Sequence, residues 1–264
     1  MAILDTELFV LQEESSEVQV YCLLTFSFSR RWNLGELIKP QDIVSCNRNK
    51  CLYIFDYKGY ISWSNEILRV DAHGKLIKKW SVGSNFGYSL SVTSESNVIL
   101  PVYKSRTLTE YSPDGQFIRK VNILSSSVFC EIWHAIKLTN GHFLISLRSA
   151  ELFPGLLGPG HGVCIVDGGG RPKKSFGGQV ASNIGHMNVP FHMYVDGNGF
   201  VLVVDRENSR VLLLNSDLKF KKEILSKVEG LRRPTRLSLN ESNGRLFVAD
   251  NDSNNQQILI FNVK

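Results

Sequence analysis

The sequence contains no apolar run near the roughly 18 residues that a membrane-spanning helix requires, so we expect no membrane association. The N-terminal segment 1–5 lacks the basic stretch and the small-residue cleavage site of a secretory signal, which favours a cytoplasmic location. The five cysteines of the sequence are scattered without a Cys-x-x-Cys pair, a pattern that indicates buried free thiols. A Cys46–Cys51 disulfide is the alternative.

Helical periodicity is also missing, and the apolar residues instead form short strand-like runs that recur about every 45 residues. The clearest runs are 8–11, 52–55, 98–102, 142–147, 200–204 and 245–249. A second run follows each of them: 18–22, 67–70, 108–111, 163–166, 211–214 and 258–261. Pairs such as Asn140-Gly141 lie before several of the first runs and predict type I′ hairpin turns.

Five copies of the repeat continue into a strand that carries a pair of basic residues. The pairs are Arg30-Arg31, Lys78-Lys79, Arg119-Lys120, Lys173-Lys174 and Lys221-Lys222. Lysine and arginine on the outer strand of a sheet oppose edge-to-edge pairing, so these pairs have a structural explanation. A further strand opens each unit at 1–4, 41–45, 88–92, 134–138, 192–195 and 236–239.

Six such units predict an all-β fold, a six-bladed β-propeller of four-stranded antiparallel blades in one domain spanning residues 1–264. The sixth copy lacks the strand with the basic pair, since the sequence ends at Lys264 directly after the run 258–261. We therefore expect a last blade of three strands, with an exposed edge and low local stability at 258–261.

The fifth unit carries the most specific motif, Pro190-Phe191-His192 followed by Val203-Val204-Asp205-Arg206-Glu207-Asn208-Ser209-Arg210-Val211. This pattern resembles the NHL repeat, which occurs in six-bladed propellers. The sixth unit keeps Arg233-Pro234 and Val248-Ala249-Asp250 but loses the Asn-x-Arg portion. The similarity is nearest to the C-terminal propeller of tripartite-motif proteins. Because a repeat motif recurs for reasons of folding, we expect Asp205, Asn208 and Arg210 to be structural.

Function is then expected from residues that depart from the repeat, on the face formed by the loops between second and third strands. The predicted ligand-binding residues are Tyr57, Trp63, Tyr103, Arg106, His134, Arg148, His192, Arg206 and Arg236. Aromatic and arginine side chains in this combination suit single-stranded RNA, because bases stack on rings while phosphates pair with guanidinium groups. They suit a protein or peptide equally well. Duplex DNA is not expected, and loop 151–162 is a further candidate partner contact.

The resemblance to tripartite-motif proteins implies a non-catalytic module that recruits the target of a ubiquitin ligase. The alternative is a metal-dependent hydrolase or lyase, similar to lactonases or amidating lyases, with its site in the central channel. Strand alternation places His134 out of register with His192 and leaves Asp42, His192 and Arg236 in one register. An arginine there would repel a cation. We therefore expect no metal, no cofactor and no enzymatic activity.

Overall fold

The structure of the chain is a computed structural model, which describes residues 1–12, 15–35, 37, 39–58, 64–103, 105–124, 130–149, 160–178, 181–252 and 255–263. It divides into two compact units. The first comprises residues 1–103 and 108–120, and the second comprises residues 104–107 and 121–264.

Three blades make up most of the first unit. Blade 1 contains β1 (Ala2–Leu4), β2 (Glu7–Leu11), β3 (Glu17–Cys22) and β4 (Phe28–Asn33). Blade 2 contains β5 (Pro40–Cys46), β6 (Cys51–Asp56), β7 (Asn65–Asp71) and β8 (Leu76–Gly83). Blade 3 contains β9 (Ser91–Val92), β10 (Val98–Val102), β11 (Thr107–Tyr111) and β12 (Phe117–Asn122).

The second unit holds the other three blades. Blade 4 contains β13 (Cys130–Lys137), β14 (Phe143–Ser149), β15 (Gly160–Val166) and β16 (Pro172–Gly178). Blade 5 contains β17 (Pro190–Val195), β18 (Val201–Asp205), β19 (Arg210–Leu214) and β20 (Phe220–Leu225). Blade 6 contains β21 (Pro234–Asn240), β22 (Arg245–Asp252) and β23 (Asn255–Asn262). Short 3-10 turns lie at Arg206–Asn208 and Lys227–Glu229.

Each blade is one antiparallel sheet whose strands follow in chain order, and the prediction of a six-bladed all-β propeller is confirmed. Five sheets have four strands, and the last has three within the described residues, as the sequence predicted. Among the described residues there is no helix of the length and apolarity that crossing a membrane would take.

Burial follows the position of a strand within its blade. The second and third strands of blades 2 to 5 are mostly buried, as in β6, where all six residues are inaccessible. The fourth strands β4, β8, β12, β16 and β20 are largely exposed and carry the five basic pairs, as expected for an outer edge. The apolar side chains of neighbouring blades share cores: Phe9 of blade 1 packs in one cluster with Ile54 of blade 2.

Two tryptophans on outer strands lie under glycine turns of the next blade. A Cβ on Gly74 would stand 2.6 Å from the Trp32 ring, and one on Gly115 would stand 2.4 Å from the Trp80 ring. Both glycines also have positive φ, 84° and 81°. A side chain at either turn would therefore collide with the ring below it in an unfavourable backbone conformation.

The hairpin turns differ from the type I′ prediction. That turn requires positive φ at both central residues, whereas in Asn140-Gly141 the glycine alone has it, at 80°. The Gly141 N–H donates to the Leu138 carbonyl at 3.0 Å, and the Asn140 side chain accepts from the His142 N–H at 3.0 Å. The asparagine thus bonds to its own turn, and the glycine adopts the left-handed conformation that follows it.

The four cysteines whose side chains are described, Cys22, Cys46, Cys51 and Cys164, are free thiols. Cys46 and Cys51 are direct cross-strand partners in blade 2 and are both buried. Burial raises the pKa of the Cys51 thiol, and a hydrogen bond from Arg69 opposes that shift. Because Cys46 and Cys51 are free thiols, the alternative of a disulfide between them is wrong.

Candidate functional site

The predicted ligand-binding residues fall in both compact units. Tyr57 and Tyr103 belong to the first unit, whereas Trp63 and nearly all of loop 151–162 lie outside the described residues. The second unit contains Arg106, His134, Arg148, His192, Arg206 and Arg236.

In the first unit, the two predicted tyrosines are part of a group of four rings, here called the aromatic cluster: Tyr57, Phe86, Tyr88 and Tyr103. The Phe86 ring centroid lies 4.6 Å from that of Tyr57, 5.0 Å from that of Tyr88 and 5.8 Å from that of Tyr103. Tyr88 and Tyr103 are 4.9 Å apart. All four residues are half-buried. Sequence reasoning missed Phe86. It placed Tyr88 inside a strand, but β9 covers only Ser91–Val92, so Tyr88 precedes the strand.

Backbone contacts hold the aromatic cluster in place. The Tyr103 N–H donates to the Phe86 carbonyl at 2.6 Å. Gly87 lies so close to β10 that a Cβ there would stand 2.3 Å from the Pro101 carbonyl oxygen. The glycine is thus required for the approach of this loop to the strand, and the approach brings Phe86 against Tyr103.

In the second unit, the site is built on a repeated irregularity of the first strand of each blade. A β-bulge near the start of the strand shifts the register by one residue in β13, β17 and β21, and the same shift occurs in β5 of the first unit. The residues directly after the bulge are Asp42, His134, His192 and Arg236. A bulge re-aims the side chains beside it, so these four residues occupy one structural position in their blades.

The placement of His134 corrects the sequence-based prediction. Simple alternation separated it from His192, but their rings are stacked, with centroids 4.1 Å apart and an interplanar angle of 16°. The reason is that both histidines directly follow a bulge and begin equivalent pairings, from His134–Ser146 to Lys137–Phe143 and from His192–Val204 to Val195–Val201, so the predicted offset of one residue between the two strands is wrong. The shared register of Asp42, His192 and Arg236 was predicted correctly.

The residue after the bulge also links neighbouring blades. His134 Nδ1 accepts a hydrogen bond from the Met193 N–H at 3.1 Å, and Asp42 Oδ2 accepts one from the Leu90 N–H at 2.8 Å. A neutral His134 that accepts at Nδ1 carries its proton on Nε2. His192 differs, because its Nδ1 is buried and no donor among the described residues reaches it.

Burial lowers the pKa of His192 well below its usual value, and the nearby His134 and Arg236 lower it further. His192 is therefore a neutral imidazole at neutral pH. A buried ring nitrogen without a partner normally costs free energy, and such atoms tend to occur at functional sites or where a bound molecule completes the bonding.

Two guanidinium groups flank the residue beside His192. Arg206 lies 4.9 Å from the Phe191 ring centroid and Arg236 lies 5.0 Å from it, both within cation–π range. Arg236 is only 9% exposed, and its Nη1 donates to the Thr235 carbonyl at 3.1 Å. We call His134, Phe191, His192, Arg206 and Arg236 the His–Arg cluster. Four of its five members are predicted site residues, and Phe191 entered the sequence analysis only as part of the repeat motif.

Acidic side chains accompany most arginines on these loops. The ion pairs are Arg148–Glu131 at 3.9 Å, Arg206–Glu207 at 3.7 Å, Arg232–Asp252 at 3.3 Å and Arg233–Glu207 at 3.0 Å. Arg148 is exposed, and Arg106 occupies the turn before β11 with a positive φ of 55°. The surface is therefore of mixed charge.

The Asp-x-x-Asn-x-Arg part of the repeat motif has a structural role, as predicted. Asp205 is fully buried and accepts from the Asn188 N–H at 2.7 Å, from Asn208 at 2.8 Å and from Arg210 Nε at 2.8 Å. Desolvation raises the pKa of Asp205, and these hydrogen bonds oppose the shift. The three side chains bond to one another and to backbone groups, which explains their spacing without a ligand.

A metal centre of three or more histidine, cysteine, aspartate or glutamate side chains is not found within the described residues. The stacked His134 and His192 have Arg236 beside them, and its positive charge opposes a cation at this position.

Comparison with known proteins supports the repeat assignment. Residues 231–261, which span blade 6, match the NHL repeat. The match thus falls on the unit in which the Asn-x-Arg portion is missing. The specific similarity to tripartite-motif propellers is not shown, and no curated protein sequence matches the chain.

Solved structures share the fold at low sequence identity. Hydrazine synthase of Kuenenia stuttgartiensis is 12% identical with a TM-score of 0.62, covering 100% of this chain and 96% of that one. A candidate 6-phosphogluconolactonase of Bacteroides uniformis is 14% identical with a TM-score of 0.61, over 98% and 80%. Streptogramin B lyase is 12% identical with a TM-score of 0.54, over 85% and 68%.

These similarities correct the expectation that the chain is not an enzyme. A lyase and a candidate lactonase are built on the same propeller fold, so the fold gives no ground for excluding catalysis. The prediction was wrong because it extended the role implied by one propeller family to the fold as a whole.

Proposed function

We propose that the chain recognises a protein or peptide partner through the His–Arg cluster, and that the partner presents a carboxylate to Arg206 and Arg236. The observation that carries this proposal is the placement of both guanidinium groups on the Phe191 ring. Stacking on an aromatic ring restricts an arginine side chain, so less conformational entropy is lost when it binds an anion. A planar guanidinium also matches the two oxygens of a carboxylate.

The mixed charge of the surface favours a polypeptide over RNA. Glu207 pairs with Arg206 and Arg233, and this carboxylate would repel a phosphate backbone that passed over it. A polypeptide can satisfy both signs, because its side chains and backbone offer donors as well as acceptors. Recruitment of a target protein is also the role implied by the resemblance to tripartite-motif propellers. The free thiols support the cytoplasm as the compartment.

The test is a parallel selection from a displayed random peptide library and a random single-stranded RNA pool, using the whole chain. We expect enrichment of peptides that contain aspartate, glutamate or a free C-terminus. The variant Arg206→Gln/Arg236→Gln should lose this enrichment. Arg171→Gln, which removes an exposed arginine from the hairpin of blade 4, is the matched control and should retain it.

Two outcomes would overturn the proposal. Enrichment of RNA that weakens steeply with salt and disappears in the double variant would assign the surface to nucleic acid. Enrichment of neither library would show that the cluster is not a recognition surface for extended polymers.

Catalysis by the same cluster is a second candidate, favoured by the neutral His192 whose Nδ1 has no donor in the described structure. An imidazole in this state can accept a proton, and Arg236 beside it can stabilise a developing negative charge. Two proteins with the same fold are named as a lyase and a candidate lactonase. Turnover of a panel of lactones and aryl esters that is lost in His192→Gln would support this role. Turnover that survives the substitution would contradict it.

A further inference from the structure

The third strand of blade 6 differs from its five counterparts in having only one neighbour. In blades 1 to 5 the third strand lies between the second and the fourth. In blade 6 the order is β21-β22-β23, and no strand of the described residues pairs with the outer edge of β23. This edge is eight residues long, at Asn255–Asn262. An unpaired strand edge is a template for another strand.

The side chains of β23 do not protect this edge. Residues 255–263 contain no charged side chain, whereas each of the five outer strands carries two adjacent basic residues. Ile260 of β23 is 44% exposed, although the corresponding third strand of blade 3, β11, is entirely buried. The strand that forms the edge of blade 6 thus has the composition of an inner strand.

A second copy of β23 can pair with this edge in the antiparallel direction that a fourth strand would have. In the other blades, the fourth strand runs antiparallel to the third. A two-fold rotation about an axis perpendicular to the sheet also brings two copies of β23 together antiparallel. The β23 strand of each molecule then lies at the fourth-strand position of blade 6 in the other molecule, and the two three-stranded sheets become one sheet of six strands.

Charge decides between this pairing and pairing through the other edges. Two copies of an outer strand such as β12 would place Arg119 and Lys120 against the same residues of the partner, and like charges across a strand pair are destabilising. Two copies of β23 bring no charges together. We propose that the chain self-associates into a two-fold dimer through β23, with the β23 of each copy pairing along the outer edge of the other.

The dimer should be weak. A single pair of edge strands buries less surface than the roughly 1,200 Å² at which stable protein interfaces begin. Its formation should therefore depend on protein concentration, and other surfaces such as the His–Arg cluster are not required for it. The proposal is independent of the proposed ligand.

Sedimentation velocity of the whole chain over a wide concentration range tests the proposal. We expect the average mass to rise toward twice that of the monomer. Ile260→Lys places a charge on the edge and should abolish the rise. Ile118→Lys is the matched control, because Ile118 has nearly the same exposure, 43%, but lies on an outer strand that already carries a basic pair. This control should dimerise like the unmodified chain.

Hydrogen exchange gives a second measurement that does not depend on a variant. Amides of 256–263 should exchange more slowly as the concentration rises, while those of β12 should not change. A monomer at every concentration would overturn the proposal, as would a dimer that survives Ile260→Lys with unchanged exchange in 256–263. Open-ended association in place of a dimer would overturn the two-fold arrangement.

Discussion

The second strands of blades 5 and 6 both contain a buried aspartate, Asp205 at the last position of β18 and Asp250 two residues before the end of β22, but surround it differently. Asp205 of blade 5 accepts hydrogen bonds from the Asn188 backbone and from the side chains of Asn208 and Arg210. Asp250 of blade 6 accepts from the backbone N–H groups of Arg232 and Arg233, at 3.1 and 2.6 Å. The backbone bond to the segment before the first strand is therefore common to both blades.

Blade 2 shows which part of this arrangement the fold needs. Asp56 ends its second strand and accepts from the Lys39 N–H at 2.8 Å. The aspartate therefore ties the second strand to the chain that enters the blade, in three blades with different neighbours. Arg210 adds bonds to the carbonyls of Ser182 and His186, which fasten a loop specific to blade 5. Four predictions compare blades 5 and 6, from the largest expected effect to the smallest.

Arg210→Ala should have the largest effect on stability, a loss of about 3 kcal/mol, because breaking a buried ion pair leaves a buried charge without a partner. Arg210 and Asp205 have side chains that are 7% and 0% exposed. Chemical denaturation measures the loss. Arg232→Ala is the control, since Arg232 is 66% exposed and pairs with Asp252 at the surface, where such pairs contribute at most about 1 kcal/mol. Equal losses in the two variants would contradict the prediction.

Asp250→Ala should cost about 2 kcal/mol, because it removes the acceptor for two backbone N–H groups without leaving a buried charge behind. Asp250→Asn keeps one acceptor oxygen and should recover part of the loss. Thermal and denaturant unfolding of both variants gives the comparison. If Asp250→Ala proved as costly as Arg210→Ala, the backbone bond would outweigh the ion pair and the division drawn between the blades would be wrong.

Local stability should differ between the third strands of the same two blades. In dilute protein, amides of β23 should exchange on the order of tenfold faster than those of β19, an opening free energy lower by about 1.4 kcal/mol. The reason is that β19 has strands on both sides, whereas β23 pairs only with β22 in the described structure. Hydrogen exchange with mass spectrometry measures both segments in one sample, and equal protection would refute the expectation.

The smallest predicted effect is a pH dependence that originates in blade 5. The pKa of His192 is lowered in the folded chain, so the unfolded chain binds more protons below its usual pKa of about 6.5. The stability conferred by neutral His192 is complete above about pH 6.5 and is lost as the pH falls below that value.

The variant His192→Gln should reduce this loss between pH 7 and pH 5. Arg236→Gln, which removes a nearby positive charge contributed by blade 6, should reduce it partly, because less repulsion opposes protonation of His192. Stability curves at a series of pH values measure the three slopes. An unchanged slope in His192→Gln would show that other groups cause the acid sensitivity.

The sequence allowed most of the fold to be predicted because its signals are local. Alternating apolar runs, glycine turns and basic outer strands each report on a few neighbouring residues, and the three-stranded last blade followed from counting them. Strand ends were less accurate: β13 begins at Cys130, four residues before the predicted start at 134.

The candidate site was less accessible to prediction because it depends on bulges and on contacts between blades. Alternation has a period of two residues, so an offset of one residue between two strands reverses the predicted side-chain directions, and the prediction made this error for His134 and His192, which both follow a bulge. Phe86 was missed for a different reason. It lies in a loop without a repeat signature, and only its contacts with Tyr57 and Tyr103 reveal its place in the aromatic cluster.

In the first strands that contain a bulge, a position of variable polar character lies next to a buried apolar position. Directly after the position held by Asp42, His134, His192 or Arg236, the strand continues with a buried apolar residue. These residues are Ile43, Ala135, Met193 and Leu237, each at most 1% exposed. The variable position has already been an acid, an imidazole and a guanidinium within one chain. Each of these strands therefore sets a polar residue of variable charge directly before a member of an apolar layer, so that different polar contacts, such as those of Asp42 with the Leu90 N–H and of His134 with the Met193 N–H, can hold neighbouring blades beside the same kind of core.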